Sequence, residues 1–202
     1  MGEKPVVYKV RFLLSAGKHA ELPAPQGAEF ALLGRSNVGK SSFINHVFAD
    51  RSLARTAKAP GTTGCANFYR VDDGLCWVDL PGYGYARTRR DEKERWSLLI
   101  REYCERRENL CGIIWIIDIR HIGLDMDCEA AVWFHKLGRP VLPVLSKADK
   151  LSRNEQRKQI ATFKKCFGEF GDPVVHSIND SAGRERFLDR FRHWQESMRT
   201  GA

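Results

Sequence analysis

Gly34-Arg35-Ser36-Asn37-Val38-Gly39-Lys40-Ser41 fits G-x-x-x-x-G-K-[ST], the pattern of a phosphate-binding loop. The flanking residues supply the context that the pattern requires. Ala28 to Leu33 is a short apolar run that reads as a buried strand, and Ser42-Phe43-Ile44-Asn45-His46-Val47-Phe48 reads as the first turns of a helix. In a strand–loop–helix unit the loop N–H groups and the helix N-terminus face inward and form a cradle for anionic oxygens. Lys40 then reaches the β and γ phosphates, and the Ser41 hydroxyl is placed to ligate Mg²⁺.

Three further segments follow in the order that a guanine-nucleotide switch needs. Asp79-Leu80-Pro81-Gly82 closes the apolar run Leu75-Cys76-Trp77-Val78. A strand-end carboxylate there can hold Mg²⁺ through water, and the Gly82 N–H can meet a γ-phosphate. Pro60-Gly61-Thr62-Thr63 lies between the two and can close over the metal when the γ-phosphate is present. Ser146-Lys147-Ala148-Asp149 follows Val141-Leu142-Pro143-Val144-Leu145. The Asp149 carboxylate can accept from guanine N1–H and N2–H₂, whereas adenine would leave it buried without partners. The Lys147 stem is expected to cover the base plane. Each segment by itself also reads as an ordinary strand-end turn or solvated loop. Their order, each at the carboxyl end of a strand, points to a GTP-hydrolysing α/β domain, because open α/β sheets bind ligands at that edge.

The run G-R-S-N-V-G-K-S-S-F-I-N, then P-G-T-T, D-L-P-G-Y-G-Y-A and S-K-A-D-K-L, resembles the EngB (YihA/YsxC) family of GTP-binding proteins, TRAFAC-class GTPases. D-L-P-G-Y-G-Y-A is the most specific piece, and the Pro-rich entry Leu22-Pro23-Ala24-Pro25 belongs to the same likeness. The resemblance implies a role in large-ribosomal-subunit assembly, with ribosomal RNA or assembly particles as partners. It implies that Thr63 is the switch Mg²⁺ ligand beside Ser41 and Asp79, with Thr62 where the family often has Lys. It implies that His176-Ser177-Ile178 is the last guanine-contacting loop, where Ile178 departs from the usual small residue. Ser146 keeps a hydroxyl where Thr or Asn is usual. The candidate nucleotide site is thus Gly34 to Ser42, Gly61 to Thr63, Asp79 to Gly82, Ser146 to Asp149 and His176 to Ile178, with Lys40, Thr63 and Gly82 nearest the chemistry.

Many GTPases carry a Gln after the switch Gly to orient the attacking water. Here Tyr83 stands there, so slow intrinsic turnover is expected, completed by a partner. Tyr83 and Tyr85 suit either partner contact or loop packing. Asn37 suits either a K⁺ ion beside the phosphates, as in related GTPases with this Asn, or a hydrogen bond within the loop.

The spacing predicts an α/β P-loop fold: a mostly parallel six-stranded sheet with one antiparallel edge strand and helices on both faces. Strands are expected near 28–33, 66–71, 74–79, 113–118, 141–146 and 173–177, with Asp72-Asp73-Gly74 turning a hairpin. Helices are expected near 40–49, 91–107, 126–137, 153–166 and 184–197, the last docked by Phe187, Leu188, Phe191 and Trp194. Residues 28–202 should form the GTP-binding domain and 1–27 an N-terminal extension packed on it.

The 202 residues carry 33 Lys and Arg against 25 Asp and Glu, a net charge of +8. Arg87, Arg89, Arg90, Lys93, Arg95, Arg101, Arg106 and Arg107 follow the Asp79 segment and suggest RNA phosphate contacts. Interleaved Asp91, Glu92, Glu94, Glu102 and Glu105 suggest instead a salt-bridged helix face. No apolar run approaches the roughly 20 residues that cross a bilayer, and six cysteines lack metal-site spacing. A cytoplasmic monomer is expected, with GTP or GDP and Mg²⁺ as cofactors, joined by K⁺ if Asn37 serves an ion. A small-molecule phosphotransferase would need an acceptor lid that no insertion provides, and a nucleotide-gated RNA-binding module with incidental hydrolysis stays open.

Overall fold

In the computed structural model, which describes residues 8–54, 64–71, 74–84 and 90–200, one seven-stranded sheet organises the chain. The elements run β1 (Val10–Ala16), β2 (Glu29–Gly34), α1 (Lys40–Val47), β3 (Ala66–Val71), β4 (Leu75–Asp79), α2 (Arg90–Arg106), β5 (Leu110–Asp118), α3 (Asp125–Leu137), β6 (Val141–Ser146), α4 (Arg153–Phe167), β7 (Val174–Val175) and α5 (Ser181–Thr200). The sheet order is β1-β3-β4-β2-β5-β6-β7. β2 is parallel to β4 and β5, and β6 is parallel to β5 and β7, while β3 is antiparallel to β1 and β4. The expected hairpin is present, although Asp72 and Asp73 of its turn lie outside the described residues.

Two expectations need correcting. The sheet has seven strands, not six, and its antiparallel strand β3 is not at the edge. Val10–Ala16 supplies the extra strand and covers β3. Its sequence escapes strand detection because a bulge between Phe12 and Leu14 interrupts the register. Arg11, Phe12 and Ser15 are exposed, so no period-two burial pattern survives. Bulges and charges of this kind are how edge strands avoid further pairing.

Apolar patterning explains the layers. β2 and β4 are buried at every residue, and β5 at every residue but Cys111, as central strands covered on both faces must be. On one face α2, α3 and α4 bury Leu99, Tyr103, Phe134, Phe163 and Phe167 around Trp115. On the other, α1 and α5 bury Phe43, Val47, Phe187, Leu188 and Phe191 against Trp77 and Phe30. The expected α5 stripe is core: Phe30 and Phe191 lie 4.9 Å apart edge-to-face, and the Trp194 ring fills the space that a side chain at Gly112 would need.

Candidate nucleotide site

The phosphate loop leaves β2 at Gly34, where a Cβ would lie 2.3 Å from the Ile116 carbonyl oxygen of β5. Only glycine fits this approach. Asn37 (φ 66°) and Gly39 (φ 102°) then take left-handed conformations and bring the chain into α1. Gly39 caps α1 without a side-chain bond, and no acidic residue lies in the first turn. The N-terminal N–H groups at Lys40, Ser41 and Ser42 therefore meet no carboxylate of their own turn, the arrangement that suits an anion.

Asp79 ends β4 beside that turn. Its Oδ2 accepts from Ser41 Oγ at 3.4 Å, and its Oδ1 is buried without a hydrogen-bond partner among the described residues. Burial pushes the Asp79 carboxyl up, offset by the Lys40 ammonium and by Ser41. Burial likewise pushes Lys40 down, offset by Asp79. An orphaned buried carboxylate oxygen beside a hydroxyl fits a hard cation with oxygen ligands, and a half-buried ammonium fits phosphate. Thr63, with Gly61 and Thr62, lies outside the described residues.

Leu80, Pro81 and Gly82 are buried as the chain leaves β4. A Cβ on Gly82 would stand 2.9 Å from both the Ser36 Cα and N, so this loop rests directly on the phosphate loop. Ser36 N donates to the Tyr83 carbonyl at 2.9 Å, and Tyr83 N donates to the Gly34 carbonyl at 3.3 Å. Arg35 and Tyr83 form the parallel bridge that joins the two loops.

The base-side loop is braced in the same way. Ser146 Oγ donates to the Val38 carbonyl at 2.8 Å, so its hydroxyl supports the phosphate loop. Lys147 (φ 60°) sends its Nζ across that loop to the Asn37 carbonyl at 2.6 Å and to Asp118 Oδ2 at 3.0 Å. Its Cε lies 3.8 Å from where a Cβ on Gly39 would be. Asp149 accepts from Ser177 Oγ at 2.9 Å and pairs with Lys150 at 3.0 Å. Burial works against its ionisation, but Lys150 and Ser177 hold the carboxyl below its usual range. Ala148 N donates to the His176 carbonyl at 3.2 Å, joining the two base-side loops, while Ile178 is exposed.

Sequence reasoning passed over three groups that the fold brings in. Asp118, at the carboxyl end of β5, receives Arg120 on both oxygens (2.9 and 2.7 Å) as well as Lys147. Despite burial, these partners hold its carboxyl well below the usual carboxylate range. Its strand-end position was the available signal. Asp127 of α3 is fully buried and sits behind Tyr83. His46 of α1 shares a 2.9 Å hydrogen bond with buried His176. Nothing local in the sequence marks either contact.

The arginine-rich segment is corrected in part. Arg107 is buried, with Nη2 donating to Glu29 Oε1 at 2.6 Å, Nε to Glu29 Oε2 at 2.8 Å and Nη1 to the Pro23 carbonyl at 2.8 Å. It ties the Pro-rich entry to the sheet and is closed to RNA. Arg87 and Arg89, with Tyr85, lie outside the described residues.

Comparison with known proteins agrees with this geometry. Residues 29–147 match the family described as 50S ribosome-binding GTPase. A probable GTP-binding protein EngB of Aromatoleum aromaticum is 42% identical over 84% of this chain and 79% of its own. One of Desulfitobacterium hafniense is 44% identical over 79% and 80%. The crystal structure of a probable GTP-binding protein engB superposes with a TM-score of 0.70 at 20% identity, covering 84% of this chain and all of that one. Era in complex with MgGDPNP and a 16S ribosomal RNA fragment shares the fold, with a TM-score of 0.67 at 19% identity over 84% of this chain and 57% of that one. With the phosphate loop, the Asp79 strand end and the Asp149 loop gathered at one edge of the sheet, this chain belongs to the EngB family of P-loop GTP-binding proteins and is a GTPase.

Proposed function

We propose that this GTPase is a switch in assembly of the large ribosomal subunit, binding ribosomal RNA or assembly particles in its GTP form. The observation that carries the reading is the meeting of the phosphate loop and the Gly82 loop, backbone on backbone, in a chain whose matching family is described as ribosome-binding. A γ-phosphate between those loops must part them at Gly82 and Tyr83, which is how a nucleotide alters structure beyond its own pocket.

In this reading the loop amides from Asn37 to Ser41 and the Lys40 ammonium hold the phosphates, and the Gly82 N–H meets the γ-phosphate. Ser41 and Asp79, with Thr63, hold Mg²⁺, which supplies charge neutralisation between the phosphate oxygens. Asp149 reads guanine, Lys147 flanks the base, and Ser177 orients Asp149. Tyr83 has no amide for the attacking water, and its hydroxyl is committed to Asp127 at 2.9 Å. Unaided turnover is therefore slow, and a partner completes the site.

The RNA contact is better carried by α4 than by α2. Along α2, Arg90, Lys93, Arg95, Arg101 and Arg106 are matched by Asp91, Glu92, Glu94, Glu102 and Glu105. On α4, Arg153, Arg157, Lys158 and Lys165 are exposed, Lys164 pairs with Asp172 at 2.7 Å, and the helix's own Glu155 is held in the Ser152 capping box.

The deciding experiment is GTP hydrolysis by the purified chain with and without large-subunit particles, in K⁺ and in Na⁺. The expected result is slow turnover alone and stimulation of about 10³–10⁵-fold by particles. Binding without stimulation would replace the switch with a nucleotide-gated RNA-binding module. A rate that falls in Na⁺ would assign Asn37 to a K⁺ site, and an equal rate would leave it as a loop residue.

A further inference from the structure

A connected set of side chains runs from the phosphate loop to the central strand. Trp115 Nε1 on β5 donates to Tyr83 Oη at 2.8 Å. Tyr83 Oη donates to Asp127 Oδ1 at 2.9 Å, and Arg35 Nε donates to Asp127 Oδ2 at 3.0 Å. Asp127 is fully buried in the first turn of α3. Burial pushes its carboxyl up, and Tyr83 and Arg35 counter that. A buried carboxylate is costly to leave without donors, so Asp127 constrains where both Tyr83 and Arg35 can lie.

That constraint reaches the phosphates through the backbone. With Tyr83 anchored, its carbonyl occupies the Ser36 N–H, and Gly82 is pressed against Ser36 with no space for a methyl group. One loop amide is thereby withheld from a phosphate. A γ-phosphate that takes the Gly82 N–H must compete with this arrangement, whereas a diphosphate need not.

We propose that Asp127 is a positioning residue that latches Tyr83 onto the phosphate loop and so sets how strongly the chain prefers GTP over GDP. The inference rests on the placement of the γ-phosphate at Gly82 proposed above. GTP binds the unlatched arrangement, so its apparent dissociation constant is the intrinsic one divided by the unlatched fraction. Weakening the latch raises that fraction and acts on GTP alone.

The test is equilibrium binding of GDP and of a non-hydrolysable GTP analogue to the full chain, wild type against Tyr83→Phe. Losing one such hydrogen bond should tighten the GTP analogue about 2–12-fold and leave GDP unchanged. Asp127→Asn should act in the same direction, which guards against a folding artefact in either variant. Trp115 gives a second readout, because its indole N–H belongs to the latch. Its emission, isolated by subtracting a Trp115→Phe spectrum, should differ between the GTP-analogue and GDP forms in wild type and not in Tyr83→Phe. Equal shifts for both nucleotides, no shift, or weaker GTP-analogue binding would overturn the latch, as would a Trp115 signal indifferent to nucleotide in wild type. Failure of wild type to bind either nucleotide is a separate outcome that removes the site reading and the latch with it.

Discussion

Asp149 shows how far a single residue can be read. Its carboxylate follows from S-K-A-D after an apolar strand, and the fold adds the Ser177 hydroxyl that orients it at 2.9 Å. In the proposed reading two charge-assisted hydrogen bonds to guanine are at stake, so Asp149→Ala should weaken GTP binding by about 10²–10⁴-fold. Nucleotide titration of the variant checks this, and an unchanged affinity would exclude Asp149 as the base reader. His176 gives a prediction that no sequence pattern offered. Burial and the nearby His46 lower its imidazole from the ordinary 6.5 to about 4. The unfolded chain therefore binds more protons between those values. The stabilising contribution is complete above about pH 6.5 and is lost as the pH falls through about 4, a span worth on the order of 3 kcal/mol. Of the other groups acting on His176, the Asp180 and Asp149 carboxyls are held below the usual carboxylate range. Chemical denaturation at pH 7 and pH 5 should show wild type losing more stability than His176→Gln. Equal losses would contradict the assignment.

At the scale of elements, the join between the β4 exit and the phosphate loop depends on two glycines with different constraints. Gly34 is held against the Ile116 carbonyl oxygen, and Gly82 against the Ser36 backbone. Gly82→Ala places a methyl group 2.9 Å from backbone atoms, which must separate. Hydrolysis should fall by about 10²–10³-fold, in line with the loss of one transition-state hydrogen-bond donor, while GDP binding persists. Normal turnover would show that the Gly82 N–H takes no part. The Glu29–Arg107 pair acts at the other end of the sheet. Side chains from β2 and the end of α2 meet there with Tyr103, whose hydroxyl donates to Glu29 at 2.6 Å. Arg107→Ala leaves a buried carboxylate with its charge uncompensated, and should cost about 3–5 kcal/mol in denaturant unfolding. A loss below 1 kcal/mol would place this charge pair among solvated ones.

For the whole molecule, charge distribution matters more than the net +8. Arg157→Glu with Lys165→Glu on α4 should weaken binding to ribosomal RNA and flatten its salt dependence, since each lost phosphate contact lowers the slope by about one. Arg95→Glu with Arg101→Glu on the neutral α2 should do less, and filter binding across a salt series compares the two. The reverse ranking would return the contact to α2. What the sequence determined was local and chemical: a glycine-rich turn between strand and helix, a carboxylate at a strand end, and the apolar runs that became β2, β4, β5 and β6. Those signals are legible because phosphate cradles and doubly covered strands restrict residue types over a few consecutive positions. The tertiary structure alone decided that Val10–Ala16 joins the sheet, that Arg107 is an interior anchor rather than a surface charge, and that Asp127 stands behind Tyr83. Each of these depends on a partner 44 to 78 residues away in the chain, and such partnerships are set by packing and burial rather than by local pattern.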